Sequence, residues 1–329
     1  MIDIDDIKPV GSSLQRPECV LAAANGRVYT SDWRGGVTVI EPDGQQWSLL
    51  ANESTFKVKP NGITLMADGS LLLCHLGDET GGVYKLDERG ELSPFLLEVD
   101  GAPLPPTNFA HLDIHGRVWV TVSTRLLPRA RGYNSENADG FIILIDDAGA
   151  RIVADRLGYT NECVVHPDGS RLFVNETFAR KLTAFDIADD GRLSNRNTII
   201  EFGEGTFPDG LVFDEDGAAW ITSIVSNRVI RVSSDGKQEI IVEDCDKEHL
   251  EWVEQAYTEG GMGRPHLDGV KSKHLRNISS LAFGGPSLNV AYMGCLLGNS
   301  IYRFSSPVKG HPPSHWNFNG PKNHNIKEQ

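Results

Sequence analysis

The chain has 329 residues, of which 40% are hydrophobic and 23% are charged, with 34 glycines and 17 prolines. This composition is typical of a globular protein that is rich in turns and large enough to bury a substantial core. The formal net charge of −14 disfavours nucleic acid and anionic membranes as partners. No segment approaches the ~18 consecutive apolar residues of a membrane span. We therefore expect a monomer or small homo-oligomer that acts on a small molecule.

The cysteines and the start of the chain predict a cytoplasmic protein. The five cysteines are odd in number and scattered, without a C-x-x-C pair. A disulfide framework favours even counts and compact spacing, so this pattern predicts reduced thiols. The first ten residues, M-I-D-I-D-D-I-K-P-V, are acidic and lack the apolar stretch of a secretory signal.

A polar side chain precedes a turn glycine by eight residues at five places along the chain. The five pairs are Glu18 and Gly26, Asn61 and Gly69, Asn108 and Gly116, Asn161 and Gly169, and Asp209 and Gly217. The glycines lie 43, 47, 53 and 48 residues apart, which is the period of one four-stranded propeller blade. A short buried strand is predicted just after each glycine, at 28–30, 71–73, 118–120, 172–174 and 219–221.

A sixth, less regular unit completes the predicted fold. Apolar runs at 281–283, 290–292 and 301–304 supply its strands, and Ser279 stands where Asp209 stands in the fifth unit. The fold class predicted is therefore all-β: a single six-bladed β-propeller domain over residues 1–329, with four-stranded blades. We expect the segment before Glu18 to close the last blade by pairing with residues around 314–318.

Two insertions interrupt the period, at 124–139 and 245–276. The second has helical spacing from Asp246 to Tyr257, which predicts one helix before the last blade. Long loops in compact domains are commonly lids or binding loops, with surface decoration as the alternative. The first insertion is basic and polar, and its arginines are candidates to clamp a substrate carboxylate or orient a ring oxygen: Arg125, Arg129 and Arg131.

Equivalent positions of successive blades point at one central channel. The repeat therefore gathers two carboxylates and three carboxamides, and an oxygen-only cluster is what a hard cation such as Ca²⁺ prefers. Turn capping is the alternative role for such residues, but glutamate is a poor turn capper. Glu18 and Asp209 would balance a divalent charge, Asn108 and Asn161 would add neutral oxygens, and Asn61 is the most peripheral of the five.

Several segments together resemble the gluconolactonase/regucalcin (senescence marker protein) family. They are R-P-E-C at 16–19, Y-T-N-E at 159–162, F-P-D-G-L-V-F-D at 207–214 and S-L-A-F-G-G at 280–285. The resemblance implies a divalent metal near the mouth of the channel, held by Glu18, Asn161 and Asp209, with Asn108 beside it. It also implies hydrolysis of sugar lactones, other esters or phosphotriesters, with Asp209 as the general base.

The chain departs from the pattern of this family at two places. Pro106 and Phe109 replace an arginine and an aspartate that sugar lactonases often carry around the third-blade asparagine, so Phe109 is expected to help define a different substrate pocket. Glu162 follows Asn161 where a glycine is common. That extra carboxylate either approaches the ion or accepts a hydrogen bond from a loop amide, and the second role is favoured.

These observations predict a metal-dependent lactonase, in which the ion polarises the carbonyl and Asp209 accepts a proton from water. The substrate-binding residues predicted are Asn108, Arg125, Phe109 and Asn61. Ca²⁺ is the favoured ion, with Zn²⁺, Mg²⁺ or Mn²⁺ as alternatives. Two other functions stay open: specialised ester hydrolysis, cyclisation or rearrangement on a non-sugar substrate, and a non-catalytic binding propeller stabilised by its metal.

Overall fold

Antiparallel four-stranded sheets, one after another along the chain, form the predicted six-bladed β-propeller. A computed structural model describes residues 1–52 and 56–323. The first strand, β1 (Lys8–Val10), belongs to the last blade, and each of the other blades takes four consecutive strands. The first strand of each blade packs against the first strands of its neighbours, so these strands line the central channel.

The strands of the first three blades follow the predicted order. Blade one holds β2 (Val20–Ala22), β3 (Val28–Asp32), β4 (Gly36–Ile40) and β5 (Gln46–Leu50). Blade two holds β6 (Pro60–Leu65), β7 (Leu71–His75), β8 (Val83–Leu86) and β9 (Leu92–Leu96), and a small hairpin follows, β10 (Glu98–Val99) with β11 (Ala102–Pro103). Blade three holds β12 (Phe109–Leu112), β13 (Val118–Val122), β14 (Gly140–Asp146) and β15 (Gly149–Leu157).

The remaining blades complete the ring. Blade four holds β16 (Thr160–Val165), β17 (Arg171–Glu176), β18 (Lys181–Ile187) and β19 (Leu193–Glu201). Blade five holds β20 (Phe207–Phe213), β21 (Ala219–Ile224), β22 (Arg228–Val232) and β23 (Gln238–Glu243). Blade six holds β24 (Ile278–Gly284), β25 (Val290–Cys295) and β26 (Ile301–Ser305), with β1 as its outermost strand.

The ring is closed by the N-terminal strand, as expected, but its partner differs from the prediction. β1 pairs with β26, with Lys8 opposite Arg303 and Val10 opposite Ile301. Residues 314–318 are not part of this sheet, because they are held at the far end of the channel. There the Ala24 amide donates to the Trp316 carbonyl over 2.7 Å. The free edge of β26 therefore takes the N-terminal strand instead.

The C-terminal segment 306–322 crosses the end of the channel at which the turn glycines lie. It contacts blade five, where the Glu215 amide donates to the Lys309 carbonyl over 2.9 Å. It continues past blade three, where the Ser314 hydroxyl donates to the Leu112 carbonyl. It then reaches blade one. One end of the channel is therefore covered by this segment, and the other end is called the mouth below.

Both insertions lie at the mouth and pack against each other. The first contains a 3-10 turn, Arg129–Gly132. The second contains the predicted helix, α1 (Lys247–Thr258), capped by Asp246, and a short helix α2 (Arg264–Asp268). Their buried side chains share one apolar cluster with residues of blades four and five, and its members include Tyr133, Tyr159, Phe178, Phe207, Val253, Met262 and Leu267. In the described residues, no helix is long and apolar enough to cross a membrane.

A buried aspartate ties the first two strands of blade five together. The Asp214 carboxylate is fully buried and accepts hydrogen bonds from Trp220 Nε1 in β21 over 2.8 Å and from Arg231 Nε over 2.7 Å. Because Arg231 lies in β22, the aspartate also reaches the third strand of the blade. It also accepts the amides of Asp216 and Ala218. Blade three repeats the arrangement with Asp113, which accepts from Trp119 Nε1 over 2.9 Å.

Replacing Asp214 by alanine should lower the free energy of unfolding by about 3–5 kcal/mol, because it leaves the Arg231 Nε–H and the Trp220 indole N–H without their acceptor. Asp216→Ala is the matched control. Its carboxylate pairs with the same Arg231 but is 67% exposed, so about 1 kcal/mol or less should be lost. Midpoints of chemical unfolding measure both, and equal shifts in the two variants would contradict this account of blade five.

Candidate metal centre

The predicted metal-capable residues stand where the inner strands enter the channel at the mouth. In blades two, four and five the pairing register between the first two strands shifts at Asn61, Asn161 and Asp209. Such a bulge turns a side chain out of the regular alternation, and bulges are common beside functional sites. Glu18 and Asn108 stand just before β2 and β12. The repeat therefore aims all five side chains at one place.

Glycine after Asp209 permits the close approach of the neighbouring inner strand. A Cβ at Gly210 would lie 2.6 Å from the Ser279 carbonyl oxygen and 2.7 Å from the Ser280 Cα. Ser279 itself does not face the ring, because its hydroxyl donates to the Glu18 carbonyl over 2.8 Å. Blade six thus supports the backbone of Glu18 and adds no side chain to the cluster.

All five predicted side chains line one small cavity of about 40 Å³ at the mouth. Residues from the two insertions and from blades one, two, four, five and six complete its wall. The lining consists of Arg16, Glu18, Asn61, Leu76, Asn108, Arg129, Tyr133, Tyr159, Asn161, Thr177, Phe178, Asp209, Ile224, Arg264, Leu267 and Leu296. The geometry therefore brings together residues that are far apart in sequence.

Three buried oxygens in this cavity have no hydrogen-bond donor among the described residues. They are Glu18 Oε2, Asn161 Oδ1 and Asp209 Oδ1, one on each residue that the family resemblance named as a ligand. Leaving a buried acceptor without a partner costs about 1–3 kcal/mol. Carboxylate and carboxamide oxygens are the ligands that a hard cation prefers, so the residues present fit a divalent ion.

The other two asparagines take part in the hydrogen bonds around these oxygens. Asn61 Nδ2 donates to Glu18 Oε1 over 2.9 Å and to the Asn108 carbonyl over 3.2 Å. Asn108 Nδ2 donates to the Ser123 hydroxyl over 3.0 Å. Asn161 Nδ2 likewise donates to the Thr177 hydroxyl over 3.1 Å, which leaves its oxygen facing the cavity.

Burial disfavours the charged forms of both carboxylates at this site, and the nearby Arg16 and Arg129 offset this only in part. The pKa of Glu18 is raised by burial to about 7. Burial, followed by the neighbouring Glu18 and Glu162, raises the pKa of Asp209 well above its usual value. Desolvation and like charges both disfavour ionised carboxylates, and a divalent ion would compensate both. In the part of the chain that the structure describes, no group of three or more His, Cys, Asp or Glu is placed to hold a metal. An ion at this site would therefore need the Asn161 oxygen as well as the two carboxylates.

Two predicted substrate-binding residues lie elsewhere. Arg125 is on the outer side of its loop, where its guanidinium pairs with Asp155 over 3.0 Å and lies 4.1 Å from the Phe141 ring centroid. Phe109 is buried in the core between blades one and two and lines a different cavity. The structure does not bring either of them to the mouth.

Glu162 accepts a hydrogen bond from a backbone amide, as was favoured for it, but the amide belongs to a strand and not to a loop. Its Oε2 accepts from the Leu211 amide in β20 over 2.8 Å, and burial raises the pKa of its carboxyl group to about 8. Glu162 directly follows Asn161 in sequence, and Phe109 directly follows Asn108. Glu162 and Phe109 both line the cavity at the covered end. Successive side chains along a strand point to opposite sides, which explains why neither shares the site of its predecessor.

The cavity at the covered end is larger, at about 130 Å³, but has different chemistry. Its lining is mainly apolar and comes from the inner strands and the C-terminal segment, with His111 and His315 among the polar members. Burial lowers the pKa of both histidines to about 4. Two neutral imidazoles in an apolar cavity do not offer a hard cation the oxygen ligands that are present at the mouth. The smaller cavity is therefore the candidate metal centre.

Sequence patterns alone missed several residues at the mouth. Arg16, Tyr133, Tyr159 and Arg264 line the cavity, yet none belongs to the repeated position. Arg16 precedes Glu18 by two residues, and this proximity to a predicted ligand was the available signal. Arg264 comes from α2, and no local pattern indicates that this segment folds over the mouth.

Known proteins share both the sequence pattern and the architecture. A family model described as SMP-30/Gluconolactonase/LRE-like region matches residues 16–243. A 6-deoxy-6-sulfogluconolactonase of Pseudomonas putida is 30% identical over 160 residues, which cover 47% of this chain and 52% of that protein. The chain is thus matched over about half the length of this relative.

Solved structures show the same fold at lower identity. The gluconolactonase XC5397 from Xanthomonas campestris aligns with a TM-score of 0.68 at 19% identity, covering 92% of this chain and 89% of the other. A regucalcin from Agrobacterium tumefaciens, described as a calcium-binding protein, aligns with a TM-score of 0.64 at 15% identity over 92% and 93%. The family model spans more than half of the chain, and the propeller and its channel agree with it: the chain belongs to the SMP-30/Gluconolactonase/LRE-like family.

Proposed function

We propose that this protein is a metal-dependent hydrolase that opens a small lactone or related ester. The observation that carries the proposal is the set of three unpartnered oxygens, on Glu18, Asn161 and Asp209, at the bottom of a cavity at the channel mouth. Membership of a family that includes gluconolactonases supports the reaction class. The name of the Pseudomonas relative supports it further.

A divalent cation held by Glu18, Asn161 and Asp209 would polarise the substrate carbonyl and stabilise the oxyanion that develops in the transition state. Ca²⁺ is the favoured ion because the donors are all oxygens, and because a fold neighbour is described as calcium-binding. Zn²⁺, Mg²⁺ and Mn²⁺ are the alternatives.

The residues of the chain have separate tasks in this reaction. Asp209 is the base that accepts a proton from the attacking water. Asn61 fixes the Glu18 carboxylate through its 2.9 Å hydrogen bond, and Thr177 fixes the amide of Asn161. Tyr133, Tyr159 and Phe178 form an aromatic wall with ring centroids 4.6–5.4 Å apart, which would exclude bulk water from the reacting atoms.

The size of the cavity bears on how substrate enters. About 40 Å³ holds on the order of three water molecules, which is less than a lactone ring needs. We therefore expect the side chains of the two insertions to move aside when substrate binds. This is the sense in which the insertions would act as a lid.

A panel of small lactones in a pH-indicator assay tests the reaction class. The purified protein with added Ca²⁺, Mn²⁺, Zn²⁺ or Mg²⁺ should hydrolyse at least one five- or six-membered lactone. Matched open-chain esters report whether ring opening is preferred. If no lactone and no ester is hydrolysed with any of these ions, the proposal is wrong, and a non-catalytic binding propeller becomes the better account.

We also propose that the protein works in the cytoplasm. Its five cysteines are free, and four of them are buried. Burial raises the pKa of several of these thiols, among them Cys163 and Cys295, so they stay protonated and inert. Free thiols are typical of reducing compartments.

A further inference from the structure

Three arginines converge on the cavity above the candidate metal centre. Arg16 comes from the segment before β2, Arg129 from the first insertion and Arg264 from the second. They lie in a chain whose formal net charge is −14. The positive charge around this cavity is therefore opposite in sign to the net charge of the chain.

Only one of the three has a carboxylate partner among the described residues. Arg264 pairs with Asp268 over 2.5 Å. Arg16 lies over the Trp33 ring at 4.5 Å, and its buried Nε has no acceptor in the described part of the chain. Arg129 likewise has no ion-pair partner among the described residues. The guanidinium groups of Arg16 and Arg129 thus line the cavity with N–H donors that remain available to a ligand.

The arginines repel one another. Burial, together with the charges of Arg264 and Arg129, lowers the pKa of Arg16, although a guanidinium stays protonated in proteins. Burial alone would raise the pKa of the Tyr133 phenol, but Arg129 and Arg264 outweigh it and the pKa is lowered. The field in the cavity is therefore positive on the side of the insertions.

The charge balance calls for an anion. Glu18 and Asp209 would be neutralised by a divalent ion, and Asp268 neutralises Arg264, which leaves Arg16 and Arg129 uncompensated. Guanidinium groups bind carboxylate, sulfonate and phosphate oxygens through paired N–H donors. A neutral polyhydroxylated ring would leave these two half-buried charges without a counter-ion.

We propose that the substrate carries an anionic group, and that Arg16 and Arg129 bind it while the lactone carbonyl faces Glu18, Asn161 and Asp209. The inference rests on the proposed lactonase function and specifies its substrate class. The anion is a carboxylate, sulfonate or phosphate placed away from the reacting carbonyl.

A pair of lactones that differ in one charge tests the proposal. The probes are 5-oxotetrahydrofuran-2-carboxylate and its carboxamide, which have nearly the same shape. The wild-type protein should favour the carboxylate by about 10- to 100-fold in kcat/KM, mainly through KM. Arg16→Gln and Arg129→Gln should each bring this ratio close to one, and the preference should shrink with added NaCl.

Arg131→Gln is the matched control. The sequence made Arg131 a candidate clamp as well, but in the structure it is exposed and absent from the lining of the cavity. Among the described residues its guanidinium bonds only to the Leu127 carbonyl. The ratio of this variant should equal that of the wild type. Equal hydrolysis of both lactones by the wild type would overturn the anion proposal while leaving the lactonase function intact. So would an unchanged ratio in both arginine variants.

A binding measurement keeps the two proposals separable if neither lactone is hydrolysed. The corresponding lactams, 5-oxopyrrolidine-2-carboxylate and its carboxamide, resist hydrolysis and can be titrated by calorimetry. Tighter binding of the carboxylate, lost in Arg16→Gln, would support anion recognition even without turnover. Equal affinity for the two lactams would overturn it.

Discussion

Asp209→Asn should lower kcat for lactone hydrolysis by about a hundredfold or more. The carboxamide has nearly the same shape as the carboxylate but accepts no proton, and it brings one negative charge fewer to the ion. The fold should survive, because Asp209 Oδ1 has no hydrogen bond to lose among the described residues. Replacing a buried carboxylate by a neutral group should even raise the thermal midpoint of the metal-free protein.

Steady-state kinetics and circular dichroism together measure this prediction. The control is Asp216→Asn, a change in the same blade at an exposed turn remote from the mouth, and it should leave kcat as it is. If Asp209→Asn retained the turnover of the wild type with a cation present, Asp209 would not be the base.

Chelation should abolish turnover, and Glu18→Gln should raise the cation concentration needed to restore it. Glu18 supplies one of the three unpartnered oxygens and half of the carboxylate charge in the donor set. Removing a residue that only supports a metal ligand lowers metal affinity about 10–100-fold. Removing the Glu18 carboxylate, a proposed ligand, should therefore lower the affinity at least as much. The glutamine retains an oxygen to accept from Asn61 Nδ2, so the surrounding geometry is preserved.

Glu162→Gln is the comparison for that variant. Glu162 is equally buried, but its Oε2 is occupied by the Leu211 amide, and a glutamine oxygen can accept the same bond. Its half-saturating cation concentration should shift far less than that of Glu18→Gln. A similar shift in both variants would mean that general charge in the channel, and not ligation by Glu18, sets the affinity.

The repeated spacing was enough to predict the fold and the group of side chains at the mouth. Each blade is a local unit whose strands and turns follow from sequence over a few tens of residues. The pairing register of the strands within each blade places equivalent residues of different blades at the same depth in the channel. Glu18, Asn161 and Asp209 could therefore be placed together before any tertiary contact was known, and their unpartnered oxygens fit the role that the family resemblance implied for them.

The rest depends on contacts that no local pattern encodes. β1 pairs with β26 because that edge of blade six is free, while residues 314–318 are held at the covered end. The loop that carries Arg125 and Arg129 points only the second of them into the cavity, since Arg125 finds Asp155 nearby. Phe109 follows Asn108 by one position and so faces the other cavity.

Titration of the metal-free protein with Ca²⁺ and Mn²⁺, with calorimetry and lactone turnover followed on the same preparation, tests whether Glu18, Asn161 and Asp209 hold a catalytic ion. One ion should bind per chain, turnover should recover in proportion to the sites filled, and Glu18→Gln and Asp209→Asn should bind the ion much more weakly. Full turnover in a metal-free preparation, or ion binding that both variants retain unchanged, would contradict this proposal.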